Sequence, residues 1–154
     1  MKMRDEQHIL RSISIDDDIS FHSIVDVLNE CFGKGYKACY KSFIAVDEDH
    51  QAWFPKMAVI RNGERKASPR SQGWLNYLIE DATKLIEEGE NDNRPPIEGR
   101  EALNRYIFGY VEDKGYCFLG EFKPDIEHSR PGHREFVRVG TEIDLRGFHE
   151  YSEE

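Results

Sequence analysis

The stretch from Asn104 to Phe122, NRYIFGYVEDKGYCFLGEF, constrains the fold more than any other part of the chain. Two runs rich in aromatic and β-branched residues flank Glu112-Asp113-Lys114-Gly115, which is the pattern of a β-hairpin. Tyr106, Phe108 and Tyr110 share one parity, as do Tyr116, Phe118 and Phe122, while Ile107, Val111, Cys117 and Leu119 fill the alternate positions. Both faces of the hairpin are therefore apolar, and antiparallel strands buried on both faces predict a sheet that curls onto itself. The expected fold class is α+β: a strongly bent or closed antiparallel β-barrel with about two α-helices.

The remaining segments are assigned around that hairpin. Ile24, Val25, Leu28 and Phe32 recur at helical spacing after Asp16-Asp17-Asp18 and before Gly33, giving a first helix. Tyr36 to Val46 and Gln51 to Ile60 read as paired strands, and Asn62-Gly63 as a tight turn leading back through Glu64-Arg65-Lys66. Ser68-Pro69 resembles a helix start, and Leu75, Leu78, Ile79, Ala82, Leu85 and Ile86 place a second helix over Trp74 to Glu88. Gly89 to Gly99 is a polar loop, a second polar loop holds Pro124, Pro131 and Gly132, Glu135 to Ile143 is the last strand, and His149 to Glu154 a frayed tail. The chain reads as a single domain over 1–154, with an ordered core of about 8–148.

Composition narrows the class of protein. A charged fraction of 33% would suit a disordered chain, but nine Phe, seven Tyr and two Trp supply a core. Cys31, Cys39 and Cys117 are odd in number and lack paired spacing, and the charged N-terminus has no apolar leader, so the expectation is a cytoplasmic protein with free thiols and no membrane segment. A formal net charge of −9 disfavours indiscriminate coating of nucleic acid. The charge is uneven: Gly33 to Trp74 holds eight basic residues against four acids, a local balance of +4 that leaves −13 for the rest.

Three constellations are candidates for chemistry. Asp113, Glu121 and Lys123 follow the order of charges in a metal-dependent nuclease. An extended strand would hold the two carboxylates ~25 Å apart, so the favoured reading makes them architecture and expects no catalytic residue. His128 and His133 in HSRPGH are metal-ligand types without a fixed ligand spacing, and neither metal nor cofactor is expected. The third constellation is Lys37, Lys41, Trp53, Lys56, Arg61, Arg65, Lys66, Arg70 and Trp74, a mixture in which rings stack on bases while cations take phosphates. The competing reading places the tryptophans in the core.

The order of a helix, a strand pair, a second helix and an aromatic hairpin, together with WFPK and YCFLGEFKPD, resembles the PUA-like barrel group, over about Phe21 to Leu145. That group includes modified-base readers of the SRA type and modules attached to restriction or RNA-processing proteins. The resemblance implies non-catalytic recognition of DNA, RNA or a nucleotide, modified bases included. The alternative is a regulatory domain whose acidic surface meets a protein partner, and a metal-dependent nuclease is the third.

Overall fold

The computed structural model describes residues 10–149. In chain order its elements are β1 (Ser12–Ser14), β2 (Ser20–Phe21), α1 (Ile24–Glu30), β3 (Phe43–Ala45), β4 (His50–Trp53), β5 (Val59–Arg61), β6 (Glu64–Lys66), β7 (Leu75–Ile79), β8 (Lys84–Glu88), β9 (Asn104–Val111), β10 (Gly115–Arg130), β11 (His133–Gly140) and β12 (Glu142–Asp144). Short 3₁₀ segments occupy Gly99–Ala102 and Arg146–Phe148. The main sheet runs β3-β4-β9-β10-β11-β8-β7, with β2 added on β10. Its pairings are antiparallel except that of β4 with β9, while β1 with β12 and β5 with β6 form separate ribbons.

The predicted hairpin is the spine of the molecule, and both its faces are buried, but the sheet does not close: β3 and β7 remain the ends of the strand order. Two separate cores explain this. On one face Tyr106, Phe108, Tyr116 and Phe118 pack with Val27, Leu28 and Phe32 of the helical segment and with Ile13 and Ile143 of the β1–β12 ribbon. On the other, Trp53, Leu85, Ile107, Phe122 and Phe136 form a second cluster. The Trp53 and Phe136 rings lie 5.0 Å apart although two strands separate β4 from β11, so the sheet is sharply curved around this cluster. Curvature and a helical cover, rather than closure, hide both faces, and the barrel expectation is corrected accordingly.

The expected second helix is also overturned. Trp74 to Glu88 contains β7 and β8, paired Leu78 to Leu85 and Tyr77 to Ile86 about a turn in which Glu80, Asp81 and Ala82 have positive φ. The spacing that mimicked a helix arises because two short strands contribute apolar residues on either side of that turn. Pairing of β8 with β11, Phe136 opposite Leu85, commits the backbone to a sheet. Ser68-Pro69 is likewise a turn, closed by Ser71 N–H donating to the Ser68 carbonyl at 3.0 Å. Among the described residues α1 is therefore the one α-helix, capped by Ser23 Oγ accepting from Asp26 N–H at 3.1 Å.

Strand boundaries shift elsewhere. Of the strand expected over Tyr36 to Val46 only Phe43–Ala45 forms, and Gln51 to Ile60 divides into β4 and β5 around Pro55. The expected polar loop after Phe122 is instead the continuation of β10, which pairs Pro124 with Phe136 where β11 is its single partner and a residue without N–H is tolerated. Asn62 and Gly63, with φ of 54° and 77°, make the expected turn between β5 and β6. Most of the expected tail, 150–154, lies outside the described residues.

Candidate nucleic-acid interface

The basic and aromatic candidates divide among four places. At the β3 edge, residues 34–42 carry no regular structure and are tied down by Asn29, whose amide donates to the Tyr36 carbonyl and whose Oδ1 accepts from Tyr36 N–H, both at 2.8 Å. Beside this segment lies a cavity of about 870 Å³ lined by Tyr36, Tyr40, Lys41, Phe43, Gln51 and Arg100. Tyr40 is 96% exposed, an unusual state for an aromatic ring, and Lys37 is exposed on the same segment. Gln51 is only 3% exposed, and its Nε2 finds no hydrogen-bond partner among the described residues.

The wall of this cavity is stiffened by a residue that sequence reasoning missed. Arg105 is 3% exposed, with its guanidinium 4.5 Å from the Phe43 ring, 4.9 Å from Trp53 and 4.6 Å from Phe136. It donates to the Glu101 carbonyl at 3.1 Å, and burial pushes its pKa down to about 10. Trp53 is thereby consumed in the core, stacked beside Arg105. An arginine inside the apolar run NRYIF, and a glutamine inside HQAWF, were the signals available in the sequence.

At the opposite end of the sheet, Arg65, Lys66 and Trp74 line a cleft of about 880 Å³ together with Arg130 and His133. The third place is a tyrosine cluster: Lys56 Nζ donates to the Tyr116 hydroxyl and lies 5.5 Å from the Tyr110 ring, which Arg70 approaches at 5.0 Å. Arg61, in the fourth, pairs with Glu112 at 2.7 Å near the hairpin tip.

Glu121 is engaged within the protein. Its Oε2 accepts from Asn104 Nδ2 at 2.8 Å and faces His50 Nε2 at 3.1 Å. His50 Nδ1 meets Asp47 at 3.0 Å, and the imidazole stacks on Tyr106 with centroids 4.4 Å apart. This clamp ties β4 to β10 across β9. Asp113 sits in the hairpin turn with φ of 69°, whereas Glu121 lies opposite Tyr106 some six strand residues away, ~20 Å along the sheet. The HSRPGH histidines are held by carboxylates, His128 by Asp125 at 2.8 Å and His133 by Glu135 at 2.7 Å and Glu88 at 3.2 Å. Among the described residues no group of three or more His, Cys, Asp or Glu is arranged to hold a metal ion, and no helix is long and apolar enough to cross a membrane.

Comparison with solved structures finds the same fold in the 5-hydroxymethylcytosine-specific restriction enzyme AbaSI, with a TM-score of 0.60 at 22% identity. The match covers 87% of this chain and 42% of that one, so the chain spans less than half the length of the enzyme. No curated protein matches in sequence. A model of the SET and RING associated domain matches residues 7–145, nearly the whole described fold. The chain belongs to the SRA domain family, within the PUA-like group.

Proposed function

We propose that this chain is a non-catalytic reader of DNA carrying a modified base, and that the base is received in the cavity at the β3 edge. Membership of the SRA family, a group with modified-base readers in it, supports the DNA partner, and the structural likeness to a 5-hydroxymethylcytosine-specific enzyme supports 5-modified cytosine as the first base to test. The observation that carries the site is Gln51. A buried amide with an unpartnered donor costs about 1 to 3 kcal/mol, and it becomes an asset when a ligand presents an acceptor. Beside it, the exposed rings of Tyr36 and Tyr40 offer stacking surfaces, and Lys37, Lys41 and Arg100 lie where an extruded nucleotide's phosphates would follow. In a chain of net charge −9, restricting cations to such places limits DNA binding to defined contacts.

The test compares duplexes that differ at a single cytosine: unmodified, 5-methyl or 5-hydroxymethyl. Titration by fluorescence anisotropy is expected to give tighter binding to a modified duplex, and Tyr36→Ala to reduce the ratio of affinities. Equal affinities for all three by the wild-type protein would overturn the reading.

A further inference from the structure

We propose that the cleft beside β7 is a phosphate-binding site, a second contact with DNA that is separate from the base cavity and indifferent to the modification. The proposal rests on DNA being the ligand. Its first support is topological: the base cavity adjoins β3 and the cleft adjoins β7, the two ends of the strand order. One wall is the end of β6, with Arg65 and Lys66; the other is the tip between β10 and β11, with Arg130, Pro131, Gly132 and His133.

Both walls are pre-set. The Arg65 guanidinium lies 3.9 Å from the Tyr77 ring centroid, and the Tyr77 hydroxyl donates to Glu88 Oε1 at 2.9 Å. The other oxygen of Glu88 faces His133 at 3.2 Å, so this carboxylate is engaged by two neighbours. Across the cleft, Gly132 N–H donates to Asp92 at 3.2 Å, its carbonyl accepts from Gly89 N–H at 3.1 Å, and Asp92 is itself gripped by Arg94 at 2.9 Å. The stacked Arg65 loses less freedom on meeting an anion than an unrestrained side chain would, and Arg130 extends from a tip whose backbone is tied to Asp92 and Gly89.

The cleft's aromatic residue decides which part of DNA it suits. The Arg94 guanidinium sits 4.2 Å from the Trp74 ring, and the ring lies so close to Gly89 that a β-carbon there would fall 2.4 Å from it. Trp74 is thus occupied as the floor, unlike the exposed rings of the base cavity. The lining carries three cations, Arg65, Lys66 and Arg130, against the engaged Glu88 and the exposed Glu90, while His133 is held between Glu88 and Glu135. The Glu64 pairing of Lys66, at 3.0 Å between exposed groups, is too weak to withhold it. These groups match phosphate oxygens, and contacts to phosphate carry no sequence information of their own.

The experiment is a salt titration of binding to an unmodified duplex by wild type, Arg65→Ala/Arg130→Ala, Arg65→Lys/Arg130→Lys and Arg130→Ala alone. Each lost phosphate contact lowers the slope of log affinity against log salt by about 0.9, so the double alanine variant should lose about 1.8 and the single variant about half as much. The lysine variant should keep the wild-type slope. Affinity for modified and unmodified duplexes should fall by one common factor, leaving their ratio unchanged. A wild-type slope in both alanine variants would overturn the proposal, as would a changed ratio. Loss of discrimination by wild type would instead defeat the base-reading role and leave the slope comparison on unmodified DNA intact.

Discussion

Replacing Gln51 with leucine separates what the fold requires from what the ligand requires. The side chain is 3% exposed, and its Nε2 has no partner among the described residues, so the folded state carries the desolvation cost of a buried donor. That cost is about 1 to 3 kcal/mol, and leucine fills nearly the same volume without it. Gln51→Leu should stabilise the protein by about 1 to 2 kcal/mol, a rise in Tm of about 2 to 8 °C for a chain of this size. If the amide reads the edge of a base, the same substitution removes about 1 to 3 kcal/mol of discrimination, or about 5- to 150-fold in the ratio of affinities. Thermal melting followed by circular dichroism and anisotropy on the three duplexes measure the two effects independently. A lowered Tm would show that the amide is satisfied within the fold, and an unchanged ratio of affinities would remove the cavity from the reading site.

Further substitutions probe the frame that holds the site. Phe118→Ala and Phe122→Ala should each cost about 3 to 5 kcal/mol in urea unfolding, because the two rings serve different cores; near-neutrality of either would mean that its cluster is not packed as described. Burial, then Glu121, Asp47 and Asp49, raises the pKa of Tyr106 above its ordinary value of 10.0. Stability from its neutral phenol is complete below pH 10 and lost as pH rises toward the folded value, so Tyr106→Phe should flatten the fall of Tm above pH 10, and parallel curves would refute the assignment. Glu121→Gln should lower stability by about 1 to 2 kcal/mol through the clamp on His50 and Asn104, and a silent substitution would dissolve that clamp.

What the sequence disclosed was mostly local. The β9–β10 hairpin, α1 and the Asn62-Gly63 turn follow from residue types within a few positions of one another, and each is present. The family resemblance was also legible in that hairpin and its flanks. The β7–β8 hairpin was not, because Leu78 and Leu85 sit seven residues apart, a helical repeat, and β8's choice of structure depends on β11, some fifty residues away. Charge clustering did not show how the cations divide: a run from Lys37 to Arg70 suggested one face, yet the fold distributes its members among different edges. Gln51 and Arg105 were passed over because the sequence alone does not show whether a polar residue in an apolar strand faces solvent, a cavity or a cluster of rings.

Parity along β10 contains a further break that composition conceals, and Gly120 makes it. Phe118 pairs with Phe108 and Gly120 with Ile107, so Leu119 and Gly120 together oppose one residue of β9. This β-bulge moves Phe122, which shares even numbering with Phe118, onto the opposite face, beside Ile107 and Phe136. The glycine's φ of +127° is one that side chains rarely adopt, and an added β-carbon would lie 2.7 Å from Arg138 Cδ and 2.9 Å from the Gly140 carbonyl oxygen. The arginine stem can move, but the carbonyl belongs to β11. Gly120→Ala should therefore cost about 2 to 4 kcal/mol, from backbone strain and the forced separation of β10 from β11. Gly147→Ala, where nothing stands within 4 Å of the new carbon, is the matched control and should stay within about 0.5 kcal/mol of wild type. Urea unfolding of both variants measures the difference. A Gly120→Ala protein as stable as the control would mean that the bulge relaxes freely, and that some other feature carries Phe122 to the face where it packs with Trp53 and Phe136.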